Sequence, residues 1–160
     1  MSDWSPYLIG PAPRPRPLQT EAGLGDRLRY VAFAERQAAR AFGEAPGRFP
    51  EAPTGLAEAW RWVALEEMKH EQWLLTRLEE LGQPVAGIPV TLDLYQSFTR
   101  CSSAKEFSDY MARAEEWGRV AGERFAEVLR ARDPRTADLF AQIAREEREH
   151  IAMVARFFKV

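Results

Sequence analysis

Three positions recur at a fixed distance of 80 residues: Glu35, Glu67 and His70 return as Glu115, Glu147 and His150. The chain contains two histidines, and each has a glutamate three residues before it, Glu67 ahead of His70 and Glu147 ahead of His150. With 18 glutamates in 160 residues, accident would give both pairs roughly once in a hundred such chains. Residues three apart share one face of a helix, so each pair can offer a carboxylate and an imidazole to one ion. The register restricts the fold severely. It calls for helix at all four places and for two similar halves, each supplying a lone glutamate and then a Glu-x-x-His.

Hydrophobic spacing meets that demand. Ala, Glu, Arg and Leu dominate over Val, Ile and Thr, which favours helix over strand. A first helix is predicted over residues 21–42, with Leu24, Leu28, Val31, Ala32, Ala38, Ala39 and Phe42 at three- and four-residue intervals, stopping near Gly43. Thr54 is the expected N-cap of a second helix that carries Trp60, Val63, Ala64, Leu74, Leu78 and Leu81 and ends at Gly82, before Pro84. A long connection follows over residues 83–103, broken by Pro84, Gly87 and Pro89, with short apolar pieces suited to packing on the helices. Ser103 with Glu106 forms a capping-box pattern for the third helix, and Asp133-Pro134 starts the fourth. Short links pair helices one and two, and three and four, as antiparallel hairpins. The connection of about 20 residues can cross the length of the molecule. The expected fold is all-α, a ferritin-like four-helix bundle of two antiparallel hairpins joined by a long crossover.

Facing gives a separate test. At about 100° per residue, Glu35 falls near the centre of its apolar stripe and Glu67 lies amid Trp60, Val63, Ala64 and Leu74. Glu115 sits at a stripe edge, His150 is central and Glu147 is to one side. Charged groups inside an apolar stripe are costly unless paired or metal-bound. Each residue alone has an ordinary explanation: a carboxylate paired with arginine, a hydrogen-bonded core histidine, a surface charge. Six in one register point instead to two divalent cations holding four converging carboxylates together. Carboxylate plus imidazole suits iron or manganese. Glu71 and Glu146 also face inward and are candidates for an extra ligand or for supporting the ligands. Tyr110, Trp60 and Trp117 are candidates for tuning oxidation chemistry, although bundle aromatics are mostly core. Asp26, Asp109 and Asp138 are candidates for orienting the imidazoles.

One glutamate, Glu-x-x-His, one glutamate and Glu-x-x-His on successive helices resembles the ferritin-like di-iron carboxylate superfamily, which includes rubrerythrins and di-iron oxygenases. The match covers residues 21–158. More narrowly, Arg48-Phe49-Pro50-Glu51-Ala52-Pro53, the stretch from Leu78 to Gly82 and Glu115-x-x-Gly118 look like a bacterial ferritin-like family of unassigned activity. The resemblance implies a terminal and a bridging carboxylate from each hairpin. It also implies a cofactor of two iron ions, with manganese or a mixed Mn/Fe pair as the alternatives, and O2 or peroxide as reactant beside a small-molecule substrate. Three functions are left open: an oxidase or oxygenase activating O2, a rubrerythrin-like peroxidase or ferroxidase, and a non-enzymatic bundle with structural metal or none. No CxxC pair of the rubredoxin type is present.

Composition narrows the remainder. A net charge of -2 from 22 basic and 24 acidic residues gives no global field for nucleic acid or anionic lipid. The single cysteine, Cys101, excludes an internal disulfide framework and has no histidine motif near it. The first apolar run, residues 4–10, is too short for an export signal and is followed at once by Pro11 to Pro17. No stretch approaches the ~20 apolar residues of a membrane span. The expected setting is the cytoplasm. Residues 1–20 read as a proline-rich arm and residues 21–160 as the bundle domain. A homodimer is an assembly such bundles commonly form.

Overall fold

Thr20 starts the first long helix by local chemistry: its hydroxyl accepts from Gly23 N at 2.9 Å, satisfying an amide that the helix leaves free. The computed structural model describes residues 3–158; Met1 and Ser2 of the arm, and Lys159 and Val160 of the bundle domain, lie outside the described residues. Five α-helices follow in order: α1 Glu21–Arg48, α2 Leu56–Glu80, α3 Asp93–Thr99, α4 Ala104–Leu129 and α5 Pro134–Ala155. Among the described residues there is no strand, and the architecture is all-α. None of these helices is long and apolar enough to cross a membrane.

α1 and α2 lie side by side, as do α4 and α5. Both pairs run antiparallel. Arg29 near the start of α1 reaches the carbonyls of Pro84 and Val85 beyond the end of α2, while Phe49 after α1 meets Trp60 at the start of α2. On the other hairpin Phe125 packs on Phe140, and Gly122 approaches Phe140 and Ala144. Between the hairpins α2 touches α5 more extensively than α1 touches α4. The α1–α4 side is therefore partly open, and α3 lies against α1 beside it.

Three boundaries differ from the sequence expectation. α1 does not stop near Gly43 but continues to Arg48, through Gly43, Pro46 and Gly47. Burial of Phe42, Ala45 and Phe49 outweighs the poor helix propensity of those residues. Thr54 does not cap α2. Gly55 holds that position at φ 87°, a left-handed conformation open to glycine, and turns the chain so that Leu56 is fully buried. The long connection is also more ordered than expected, containing a 3-10 turn, Val85–Gly87, and α3. Other ends match their signals. Gly82 at φ 66° closes α2, with Gln83 N bonding Leu78 O and Gly82 N bonding Glu79 O. Ser103 and Asp133 accept from Glu106 N and Thr136 N. Glu106 turns to Ser102, so the capping box is only half made.

Two apolar cores result. One gathers Phe42, Phe49, Trp60, Phe98, Phe107 and Met111; the other gathers Leu28, Phe33, Leu74, Leu78, Phe140 and Ile143. The arm joins the second, burying Trp4 against Phe33 and Tyr95 and tying Leu8 and Gly10 to Val90 by backbone hydrogen bonds. Along every long helix, the positions between these cores carry the carboxylates and imidazoles.

Candidate metal centre

Glu35 comes from α1, Glu67 and His70 from α2, Glu115 from α4, and Glu147 and His150 from α5; all six are buried. The fold brings every one of them together. Their ligand atoms form two overlapping groups in which all atoms lie within 4.8 Å of one another: Glu35, Glu67, His70 and Glu147 in one, Glu67, Glu115, Glu147 and His150 in the other. Glu67 and Glu147 belong to both groups, Glu35 and Glu115 to one each. The histidines turn Nδ1 inward. His70 Nδ1 lies 3.5 Å from Glu67 Oε2, 3.5 Å from Glu147 Oε1 and 4.0 Å from Glu35 Oε2. His150 Nδ1 lies 2.8 Å from Glu67 Oε1 and 3.9 Å from Glu147 Oε2. The two rings stack with centroids 5.6 Å apart.

This concentration of buried acid perturbs every member. Burial, reinforced by the charge of Glu67, pushes Glu35 well above the ordinary carboxyl range; burial and the charges of Glu147 and Glu67 do the same to Glu115. Burial and the Glu67 charge raise Glu147 to about 7, against the pull of both histidines. Glu67 goes the other way: burial opposes ionisation, but its close approach to Glu35, His150 and His70 holds its carboxyl below the usual range. Burial disfavours the charged form of His70, yet Glu147 and Glu67 raise it to about 10, and Glu67 likewise raises His150.

Hydrogen bonding gives the decisive test of fit. Both oxygens of Glu67, Nδ1 of His70, Oε1 of Glu115, Oε2 of Glu147 and both ring nitrogens of His150 are buried with no hydrogen-bond partner. The 2.8 Å contact between His150 and Glu67 is close but not aligned as a hydrogen bond. A buried orphan donor or acceptor costs about 1–3 kcal/mol, and the six that face one another, all but the outer His150 Nε2, would be hard to sustain. Divalent cations bound between them would satisfy these atoms. The donor set, two imidazoles and four carboxylates, suits a first-row divalent metal.

Beside this cluster lies a cavity of about 360 Å³ on the open α1–α4 side. Glu35, Glu67, Glu115 and Glu147 form part of its wall; Val31, Ala34, Met111, Ala121 and Ile143 are among its apolar lining, and no lysine or arginine lines it.

The sequence model of a family described as "Protein of unknown function (DUF455)" matches residues 5–160. The chain belongs to the DUF455 family. No curated protein and no solved structure matches it.

Around the six residues, this DUF455 member departs from several sequence expectations. Glu146 reaches one of the six: its Oε2 accepts from His70 Nε2 at 2.7 Å, since an ionised carboxylate can only accept. Burial works against its charge, but Lys69, His70 and Gln142 hold the carboxyl down at about 2. Glu71 does not reach either histidine; Arg36 pairs with it at 2.8 Å and Tyr7 donates its hydroxyl to it. Tyr110 packs edge-on against Phe98, away from the cluster, and lines an outer pocket with Tyr30 and Ala34. Asp26, Asp109 and Asp138 orient neither imidazole, being paired with Arg16 and Arg29, with Lys105, and with Arg130 respectively. Trp60 is core, and Trp117 lies at the cavity rim, 78% exposed. Sequence reasoning missed Lys69, Gln142 and Trp62, the neighbours that surround the histidines. The signal was present in the same 80-residue register, at positions where the halves differ.

Proposed function

We propose that this chain is a ferritin-like four-helix bundle that holds two divalent ions, iron foremost, and uses them to activate O2 on a small, uncharged, largely apolar substrate. Glu67 and Glu147 would be shared between the ions, with Glu35 and His70 completing one position and Glu115 and His150 the other. Held by these residues, a reduced ion pair would supply electrons to dioxygen, with an external electron donor providing the reducing equivalents. The protein's own part is to hold the ligands, exclude bulk water with the two apolar cores, and admit substrate along the α1–α4 side.

The observation that carries the oxidase reading over storage or a structural metal is the cavity. Ions serving only as a staple need no adjoining space, whereas four of the six ligand residues form part of a chamber lined mainly by apolar groups. At ~30 Å³ per water-sized group, 360 Å³ accommodates on the order of a dozen non-hydrogen atoms. With no lysine or arginine in the wall, an anionic substrate would find no basic side chain to pair with.

Oxygen uptake by the iron-loaded, reduced protein tests this reading. Small apolar compounds should accelerate uptake and emerge oxidised, while carboxylate analogues of the same size should not. Uptake that follows iron alone, whatever compound is present, would replace the oxidase reading with a ferroxidase one. No uptake at all would remove both.

A further inference from the structure

The 80-residue register extends beyond the six ligand residues. It relates Trp62 to Gln142, Glu66 to Glu146 and Lys69 to Glu149. If the halves were equivalent, each histidine would donate its outer nitrogen to the carboxylate one position before the opposite hairpin's shared glutamate: His70 to Glu146, and His150 to Glu66. The first contact is made and the second is not.

Two differences between the halves, at Lys69/Glu149 and Trp62/Gln142, account for this. Lys69 stands where the second half has Glu149, and its ammonium lies 2.5 Å from Glu66 Oε2 and 2.8 Å from Glu146 Oε2. It thereby holds Glu66 on its own helix and braces Glu146 against His70. Gln142, at the position of Trp62, donates to Glu146 Oε1 at 2.6 Å and fixes the carboxylate's second oxygen. On the other side the indole of Trp62 covers His150 edge-on, with centroids 5.4 Å apart, and has no oxygen to accept a proton. His150 Nε2 is buried without a partner. Glu66, His70 and Glu146 also form a third acidic group, but the Lys69 ammonium already sits against both carboxylates, so it is support rather than a cation site.

A carboxylate behind a ligating imidazole fixes the ring's orientation and proton position and strengthens its donor nitrogen; losing it typically weakens metal binding about 10–100-fold. We propose that the two metal positions are unequal: the one built from Glu35, Glu67, His70 and Glu147 fills first and binds tighter, with Glu146 as its positioning residue. The inference rests on the two-ion reading above. It adds that the second position, beside Glu115 and His150, is the weaker and more readily exchanged one.

The two histidines make the test residue-specific. With ¹⁵N-histidine labelling, the metal-free chain should give two sets of imidazole signals, assigned with His150→Ala. Zinc(II), a diamagnetic probe ion, is then titrated in. The His70 signals should move within the first equivalent and the His150 signals during the second. In Glu146→Ala the His70 response should weaken about 10–100-fold and lose its precedence. Glu66→Ala, which removes the repeat-related carboxylate, should keep the order. Both histidines responding together in the unaltered chain, or Glu146→Ala titrating like it, would overturn the inequality while leaving two bound ions intact. Signals that stay fixed throughout would show that no ion binds, so that the two-ion reading fails and this inference with it.

Discussion

Replacing Gly118 by leucine separates the cavity's role from the stability of the fold. Gly118 sits inside α4, at the exposed rim of the cavity, and a Cβ built there meets nothing within 4 Å. Glycine in a helix interior is about 0.8–1.0 kcal/mol less favourable than alanine, and leucine is close to alanine. The variant should therefore gain somewhat under 1 kcal/mol, which for a chain of this size raises Tm by roughly 2–4 °C. The four carbons of the new side chain, at ~30 Å³ each, would occupy about a third of the 360 Å³ space if they turn inward. Misplacing even one methylene in an apolar pocket changes kcat/KM by about 10–200-fold. Oxygen uptake stimulated by small apolar compounds should thus fall by about tenfold or more, with bound metal unchanged. Urea unfolding, elemental analysis and an oxygen electrode on the same preparation measure all three. A stabilised, metal-replete variant with undiminished uptake would refute the cavity as the substrate's route. A destabilised variant would show that the open space at Gly118 has been misjudged.

Two further outcomes concern the frame that positions the site. Asp26→Asn should cost about 3–5 kcal/mol at neutral pH, because it leaves the buried guanidinium of Arg29, 1% exposed, without its anion. Hydrogen bonding to Arg16 holds the Asp26 carboxyl below its ordinary value near 3.8, outweighing burial. A folded-state value below the unfolded one gives stability that is full above the unfolded pKa and lost as pH falls through the folded one. The gap between variant and parent in urea midpoints should therefore close below about pH 4; a gap constant from pH 7 to 3 would contradict the assignment. Arg48→Ala removes donors to the carbonyls of Phe98 and Cys101, both at 2.7 Å, and of Thr99. Losing charged hydrogen bonds of this kind costs about 1.5–3 kcal/mol. Hydrogen exchange should accelerate across α3 while α5 stays protected, and unchanged exchange in α3 would show that Arg48 does not hold it.

The six clustered residues were legible because a scarce residue type carried the signal. Two histidines, each in the same local pattern and 80 residues apart, leave few arrangements that bring them together. Helix starts at Ser103 and Asp133 were legible because an N-cap is chemistry within four residues. The end of α1 was not: Gly43, Pro46 and Gly47 are local break signals, and they lost to burial of Phe42, Ala45 and Phe49 from outside the window. α3 is seven residues long and held by Arg48 from another helix, so no periodicity announced it.

The supports around the site were hidden for a different reason. Helical projection places Glu71 and Glu146 on inward faces alike, but it does not say which cation each will meet. Arg36 takes Glu71, while Lys69 and His70 take Glu146. The cavity was equally hidden. Ala34, Ala38, Ala114, Gly118 and Ala121 line a space that α1 and α4 do not close, and no local pattern tells which helix faces stay apart.

Elemental analysis of the chain purified without chelators, set beside Glu67→Ala combined with Glu147→Ala, probes the shared carboxylates directly. Two divalent ions per chain are expected in the parent and almost none in the double variant, with helical circular dichroism preserved in both. A metal-free parent, or a double variant that keeps its full complement, would contradict the account at its root.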